Sequence, residues 1–270
     1  LDFATNLSIR SEDAPLADIL SFTLSTIGIP TNEVTVTSGE VSGSMDMEIR
    51  PNNEVENSGA IQAENTDIET TIQPLPIENA KGSTRFQGNK WTVDTLTGSY
   101  GEIDAVAKGL IDFDNGYDLS AVTKNVTVEE FTNTIKLALP VPTTGNFDAV
   151  AYMTGPIEQP EFSGSATAVE PLQVDRVTFT SASTDFLLQG QQLYLEDIAG
   201  TPSTGGSLRG SGEVRLSDST PFTFNLAGRS LPARELAQLY DLNPGVKLGL
   251  VSADASVVGN SGDVNTTIDW

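Results

Sequence analysis

Any chemistry in this chain has to come from carboxylates, hydroxyls and amides, because its 270 residues include no His and no Cys. That excludes Ser-His-Asp and Cys-His nucleophiles and the usual histidine-bearing zinc sites. Asp112-Phe-Asp114-Asn-Gly-Tyr-Asp118 brings three carboxylates close together, as a calcium loop would. Its Gly falls one position early for an EF-hand, and Asn115-Gly116 between Phe113 and Tyr117 reads instead as a type I′ hairpin turn. Glu54/Glu56, Glu129/Glu130 and Asp112/Asp114 would need divergent pKa values in a cleft to act as general acid and base. Among 37 acidic residues such neighbours are ordinary surface charge. Asn6-Leu-Ser8, Asn125-Val-Thr127 and Asn265-Thr-Thr267 match the glycosylation sequon, which occurs by chance in a chain rich in Asn, Ser and Thr. The expectation is no catalytic residue, no metal and no cofactor.

Fourteen Lys and Arg against 37 Asp and Glu give a net charge of −23, which argues against nucleic acid or anionic headgroups as charge-selected partners. The absence of Cys leaves the compartment open. No charged leader and no apolar run of about 18 residues is present. The chain opens without Met and stops at Ile268-Asp-Trp270 within an alternating run, so it reads as a fragment of a longer protein.

What positions side chains here is period-two alternation. It runs through Val34/Val36, Met45/Met47/Ile49, Trp91/Val93, Ile111/Phe113, Tyr117/Leu119/Ala121, Phe147/Ala149/Ala151/Met153, Leu193/Leu195, Val214/Leu216, Phe222/Phe224/Leu226 and Val264/Ile268. Such segments are strands with one apolar face, and their polar partners suit a solvated face of an antiparallel sheet. Three segments break the pattern and predict short amphipathic helices: Pro15–Leu20, Val128–Ile135 and Pro232–Tyr240. Thr127 and Glu130 form a capping box for the second; Ser230 is the N-cap candidate and Pro232 a first-turn residue for the third. Pro51–Ser58, Gln73–Ser83, Pro140–Thr144, Gly155–Pro160 and Thr201–Ser207 read as loops.

A repeat organises these elements. Gln87–Gly98 (QGNKWTVDTLTG) and Gln189–Gly200 (QGQQLYLEDIAG) align without a gap at a spacing of 102 residues. Gly109–Phe113 matches Gly212–Leu216 at 103, and Tyr117–Ala121 matches Phe222–Leu226 at 105. With the helices as punctuation, residues 1–124 form a first, partial repeat with insertions, 125–229 a second and 230–270 the start of a third. The fold class is all-β: an elongated, curved, mainly antiparallel repeat sheet with short helices between units.

Only 38% of residues are apolar and 7% aromatic, lean for closed globular cores. Either the one-sided strands face each other in a sandwich or barrel, or they line an open groove for someone else's hydrocarbon. Such a groove would be useful, since each lipid methylene hidden from water is worth about 0.8 kcal/mol and a sixteen-carbon chain about 12 kcal/mol. Candidate lining residues are Trp91, Val93, Ile111, Phe113, Tyr117, Leu119, Phe147, Phe179, Leu193, Leu195, Val214, Leu216, Phe222 and Phe224.

A short helix followed by Gly145-Asn-Phe-Asp-Ala-Val-Ala-Tyr-Met-Thr-Gly155 and Pro156-Ile-Glu-Gln-Pro160-Glu-Phe-Ser-Gly164 resembles the recurring unit of the TamB family, within the AsmA-like, bridge-type lipid-transfer proteins. Gly205-Gly206-Ser-Leu-Arg-Gly-Ser-Gly212 is similar to it as well, so the likeness covers roughly Lys81 to Trp270. Gly259-Asn-Ser-Gly262 departs by lacking a Pro where Pro160 sits. A cyanobacterial or plastid-type relative fits the acidity. The resemblance implies a β-taco cross-section, a location in the periplasm or intermembrane space, and a full-length protein anchored in the inner membrane. It also implies work with an Omp85-type outer-membrane barrel, in phospholipid transport or outer-membrane protein assembly, with no catalytic residues. The alternative reading is a cell-surface adhesin or stalk of tandem β-sandwich repeats; a β-helical polysaccharide lyase is disfavoured by the interrupting helices.

Overall fold

The computed structural model describes residues 5–26, 36–50, 54–70, 75–139, 141–217, 219–243, 245, 248–260 and 263–269. Val34, Gly262, Trp270 and parts of three expected loops (51–53, 73–74 and 140) lie outside the described residues. Strand accounts for 69% and helix for 11%, so the fold is all-β, and the pairings within each unit are antiparallel.

Two compact units emerge, Leu1–Val122 with Tyr152–Pro160 and Thr123–Ala151 with Glu161–Trp270. The chain enters through β1 (Thr5–Pro15), α1 (Leu16–Thr26), β2 (Val36–Ser38), β3 (Glu40–Ile49) and β4 (Val55–Thr70). It continues through β5 (Ile77–Gln87), β6 (Lys90–Tyr100), β7 (Ile103–Asp112) and β8 (Gly116–Thr127), within which it passes into the second unit. There follow α2 (Val128–Ile135), β9 (Thr143–Thr144), β10 (Asn146–Gly155), β11 (Glu161–Ala168), β12 (Leu172–Val174) and β13 (Val177–Gln189). The last elements are β14 (Gln192–Pro202), β15 (Ser207–Arg215), β16 (Phe222–Pro232), α3 (Ala233–Leu239), β17 (Leu250–Asn260) and β18 (Asp263–Asp269).

The sequence repeat is preserved down to its irregularities. β6 and β14 have the same length, and each follows a two-residue turn whose first residue is a glycine, Gly88 at φ +57° and Gly190 at φ +60°. A methyl group on either would meet nothing within 4 Å, so the glycine serves the backbone conformation alone, as in a type II′ hairpin. Both strands carry a one-residue bulge at the matching place, between Val93 and Leu96 and between Leu195 and Ile198. The drift in spacing from 103 to 105 has a local cause as well: Ile111 and Tyr117 pair across one turn, while Val214 and Phe222 pair across one that is two residues longer.

A threefold junction, missed in the sequence, connects strand to helix. Three residues before each helix starts, the backbone turns left-handed, at Asp13 (φ +50°), Asn125 (φ +55°) and Ser230 (φ +52°). Their amides donate to Ser42 Oγ (3.3 Å), Asp148 Oδ1 (2.8 Å) and Ser252 Oγ (3.3 Å). The first helical amide of each then donates to a glycine carbonyl: Leu16 to Gly39 (2.7 Å), Val128 to Gly145 (3.0 Å) and Ala233 to Gly249 (3.2 Å). The readable signal was Gly-x-apolar-Ser/Asp at Gly39, Gly145 and Gly249.

Four local expectations are corrected. The expected loops Pro51–Ser58 and Gln73–Ser83 give way to strand, since β4 already begins at Val55 and β5 at Ile77. Ser230 does not cap α3; the N-cap is Pro232, without a side-chain hydrogen bond, because Ser230 is committed to the junction. Asn115-Gly116 is not a type I′ pair: Asn115 donates to Asp112 O (3.1 Å) in a wider turn, and only Gly116 has positive φ (+106°). The first helix runs on from Leu20 to Thr26 through hydroxyl-bearing residues of modest propensity, since Thr23 and Leu24 gain burial there. The capping box of α2 is present as read, with Glu130 N to Thr127 Oγ1 at 3.1 Å and Thr127 N to Glu130 Oε2 at 2.8 Å.

Candidate functional site: the apolar face of the sheet

Strand register lays the apolar side chains out in rows. In the first unit one row runs Ile9, Met45, Gly59, Phe86, Trp91, Ile111 and Tyr117 across successive strands. Its counterpart in the second unit runs Phe162, Leu188, Leu193, Val214, Phe222, Gly259 and Val264. The neighbouring row there, Gly164, Phe186, Leu195, Gly212, Phe224 and Val257, places an aromatic ring where a cross-strand glycine leaves room. A methyl on Gly164 would sit 2.6 Å from Phe186 Cζ, and one on Gly212 2.2 Å from Phe224 Cδ1. Large and small residues are dealt out differently in the two units, while the face on which they stand is kept.

Coverage differs between the faces. In the first unit α1 buries Leu16, Leu20, Thr23 and Leu24, spaced for one helical face, and Leu16 and Leu20 join a core with Val41, Met45, Met47, Ile61, Ala63, Phe86 and Trp91. Trp91 stacks on Phe86 with centroids 5.1 Å apart and meets the edge of Phe113 at 6.0 Å. Asn57 Nδ2 fastens the helix end by donating to Thr23 O (3.1 Å) and Thr26 Oγ1 (2.6 Å). In the second unit the core cluster has three buried members, Leu193, Val214 and Phe222, with Leu137, Phe186, Leu188, Leu195, Phe224 and Val257 half-buried around them. There α2 buries only Thr134, and α3 buries nothing.

The fourteen candidate residues divide accordingly. Trp91, Val93, Tyr117, Leu193, Val214 and Phe222 are buried by their own chain; burial also raises the Tyr117 phenol pKa. Ile111, Phe113, Leu119, Phe147, Phe179, Leu195, Leu216 and Phe224 are half-buried. Phe147 meets Phe131 of α2 edge-on at 5.6 Å, and Phe179 lies beside Gly200, away from the central rows. Sequence reading omitted Phe86, Phe162, Phe186 and Leu188, which share the central rows; glycines stand opposite two of the four, Gly59 opposite Phe86 and Gly164 opposite Phe186.

The carboxylates that suggested metal or acid–base chemistry are occupied otherwise. Asp112 is buried, accepts from Asn115 Nδ2 (2.8 Å) and Asp114 N (3.1 Å), and pairs with Lys90 at 3.4 Å. Those hydrogen bonds hold its carboxyl below the usual carboxylate range. Asp114 accepts from Asn89, Glu130 caps α2, and Glu54 and Glu56 flank Arg50. Among the described residues no group of three or more acidic side chains is placed to hold a metal ion. No helix among them is long and apolar enough to cross a membrane.

No protein-family model matches this chain, nor does any curated protein or solved structure.

Proposed function

We propose that the chain is part of an envelope protein whose apolar sheet face carries phospholipid acyl chains between inner and outer membranes, without catalysing a reaction. The observation that carries this reading is the half-buried row Phe186, Leu195, Phe224 and Val257, apolar side chains presented side by side on a face that no helix among the described residues seals. Each methylene resting there instead of in water gains about 0.8 kcal/mol, and a row shared by successive strands of the unit passes a chain from strand to strand. The resemblance to the TamB family supplies the rest: the periplasm or intermembrane space as location, a membrane-anchored full-length protein, and an Omp85-type barrel as partner, with a scaffold role in outer-membrane protein assembly as its other possible task.

A photo-crosslinking residue at Leu195 or Phe224, irradiated in cells, is expected to capture phospholipid. The same probe at Trp91 is expected to capture only protein. Exclusive protein adducts at Leu195 and Phe224 would overturn the proposal in favour of a closed surface module, such as the adhesin.

A further inference from the structure

Helix α3 lacks what holds the other two helices. It has seven residues, no side-chain N-cap and no buried side chain. A helix of that length does not persist on its own propensity. By contrast α2 has its capping box, a left-handed C-cap at Lys136 and the Phe131–Phe147 contact, while α1 has its leucines in the core.

What α3 has comes from a turn far back in the chain. Arg176, between β12 and β13, donates through Nη1 to Leu239 O at 2.9 Å and to Asp241 Oδ2 at 2.8 Å. Its guanidinium lies 5.5 Å from the centre of the Tyr240 ring. One side chain thus supplies three things: a donor for a terminal carbonyl, a cation at the negative end of the helix dipole, and a partner for the ring that follows. The turn bearing it is itself fixed, with Asp175 N donating to Pro142 O (2.7 Å) and Gln173 Nε2 to Asp175 O (2.9 Å).

We infer that Arg176 is a releasable clasp which ties the helix opening the third repeat to the second repeat, and that α3 frays when the clasp is screened or removed. Both charged partners are open to solvent, with side-chain exposures of 50% for Arg176 and 87% for Asp241, so mobile ions reach the pair. Release frees the half-buried Leu236 and Leu239 beside the already exposed Leu242, and so changes how much apolar surface the second unit offers.

The test is millisecond amide hydrogen exchange on the whole chain, comparing wild type with Arg176→Gln at low and high NaCl, with α2 as the internal control. In low salt Arg176→Gln is expected to lower protection across Ala233–Leu239 about tenfold, the combined scale of an exposed ion pair, a hydrogen bond and a cation–π contact. High salt should bring wild type toward the variant, and Val128–Ile135 should stay unchanged throughout. Tyr240→Leu, which keeps an apolar side chain without the ring, should give a smaller loss. Equal protection of α3 in wild type and Arg176→Gln, wild-type protection indifferent to salt, or parallel loss in α2 would each overturn the clasp.

Discussion

The two units build the same kind of face and finish it differently. Trp91 and Leu193 occupy matching positions, as do Ile111 and Val214, and Tyr117 and Phe222. In the first unit α1 lies on that face, Trp91 stacks on Phe86, and the rows become an ordinary protein core. In the second unit the helices stay marginal, and Leu195 and Phe224 remain half-buried. A repeat therefore determines where apolar side chains stand without determining what covers them. Coverage depends on whether the local helix buries its leucines, as α1 does at positions 16, 20 and 24, while Leu236 and Leu239 of α3 stay half-buried.

The contrast breaks first at its most buried point. Trp91→Ala should destabilise the first unit by about 3–5 kcal/mol, since it removes a large buried ring and leaves a cavity. Leu195→Ala should cost the second unit only about 1–2 kcal/mol, because half-burial forfeits less area. Urea unfolding of the two variants measures both, and equal losses would mean that the second face is as closed as the first. Charge sharpens the same point: Phe224→Asp is expected to keep the far-ultraviolet circular dichroism of the wild type while abolishing phospholipid capture, whereas Trp91→Asp should unfold its unit.

Where the units share a device, the effects should match. Gly88→Ala and Gly190→Ala each force an L-residue into positive φ, and each should cost about 1–2 kcal/mol by thermal denaturation. A large difference between them would show that the two turns are not equivalent.

Smallest of all is an effect confined to the first unit. The folded carboxyl of Asp112 is held below its ordinary value, so its contribution is present at neutral pH and is lost as pH falls from the ordinary carboxylate range through the folded pKa. Asp112→Asn should therefore lower stability by about 1 kcal/mol at pH 7, with the difference from wild type shrinking toward zero in acid. Urea titrations at a series of pH values would show it. The corresponding position in the second unit, at the same 103-residue spacing, is Arg215, so no carboxylate stands at that position.

Much of this was legible in the residues. The ungapped match from Gln87 to Gly98 with Gln189 to Gly200 carried hairpin, bulge and strand length together, because each depends on local backbone preference and on which side chains must share a face. The α2 capping box was readable because Thr127 and Glu130 are three residues apart and satisfy each other's amides. Ser230 misled because a serine before a proline suits an N-cap equally well. Its amide is instead taken by Ser252, a partner 22 residues away that no local window contains. Phe86 and Phe186 were passed over for a related reason: their neighbours in the chain do not mark them as special, and only pairing brings Gly59 and Gly164 opposite them.

By itself, then, the sequence determined the strand periodicity, the one-sided apolar face, the repeat spacing and the absence of histidine or thiol chemistry, since all of these follow from residue type and local order. Only the tertiary structure decided that α1 covers its face while α2 and α3 leave theirs largely open, that Asp112 is spent on a turn, and that a distant arginine holds α3. These rest on contacts between residues far apart in the chain, where burial and hydrogen-bond partners are set by strand register rather than by sequence neighbours.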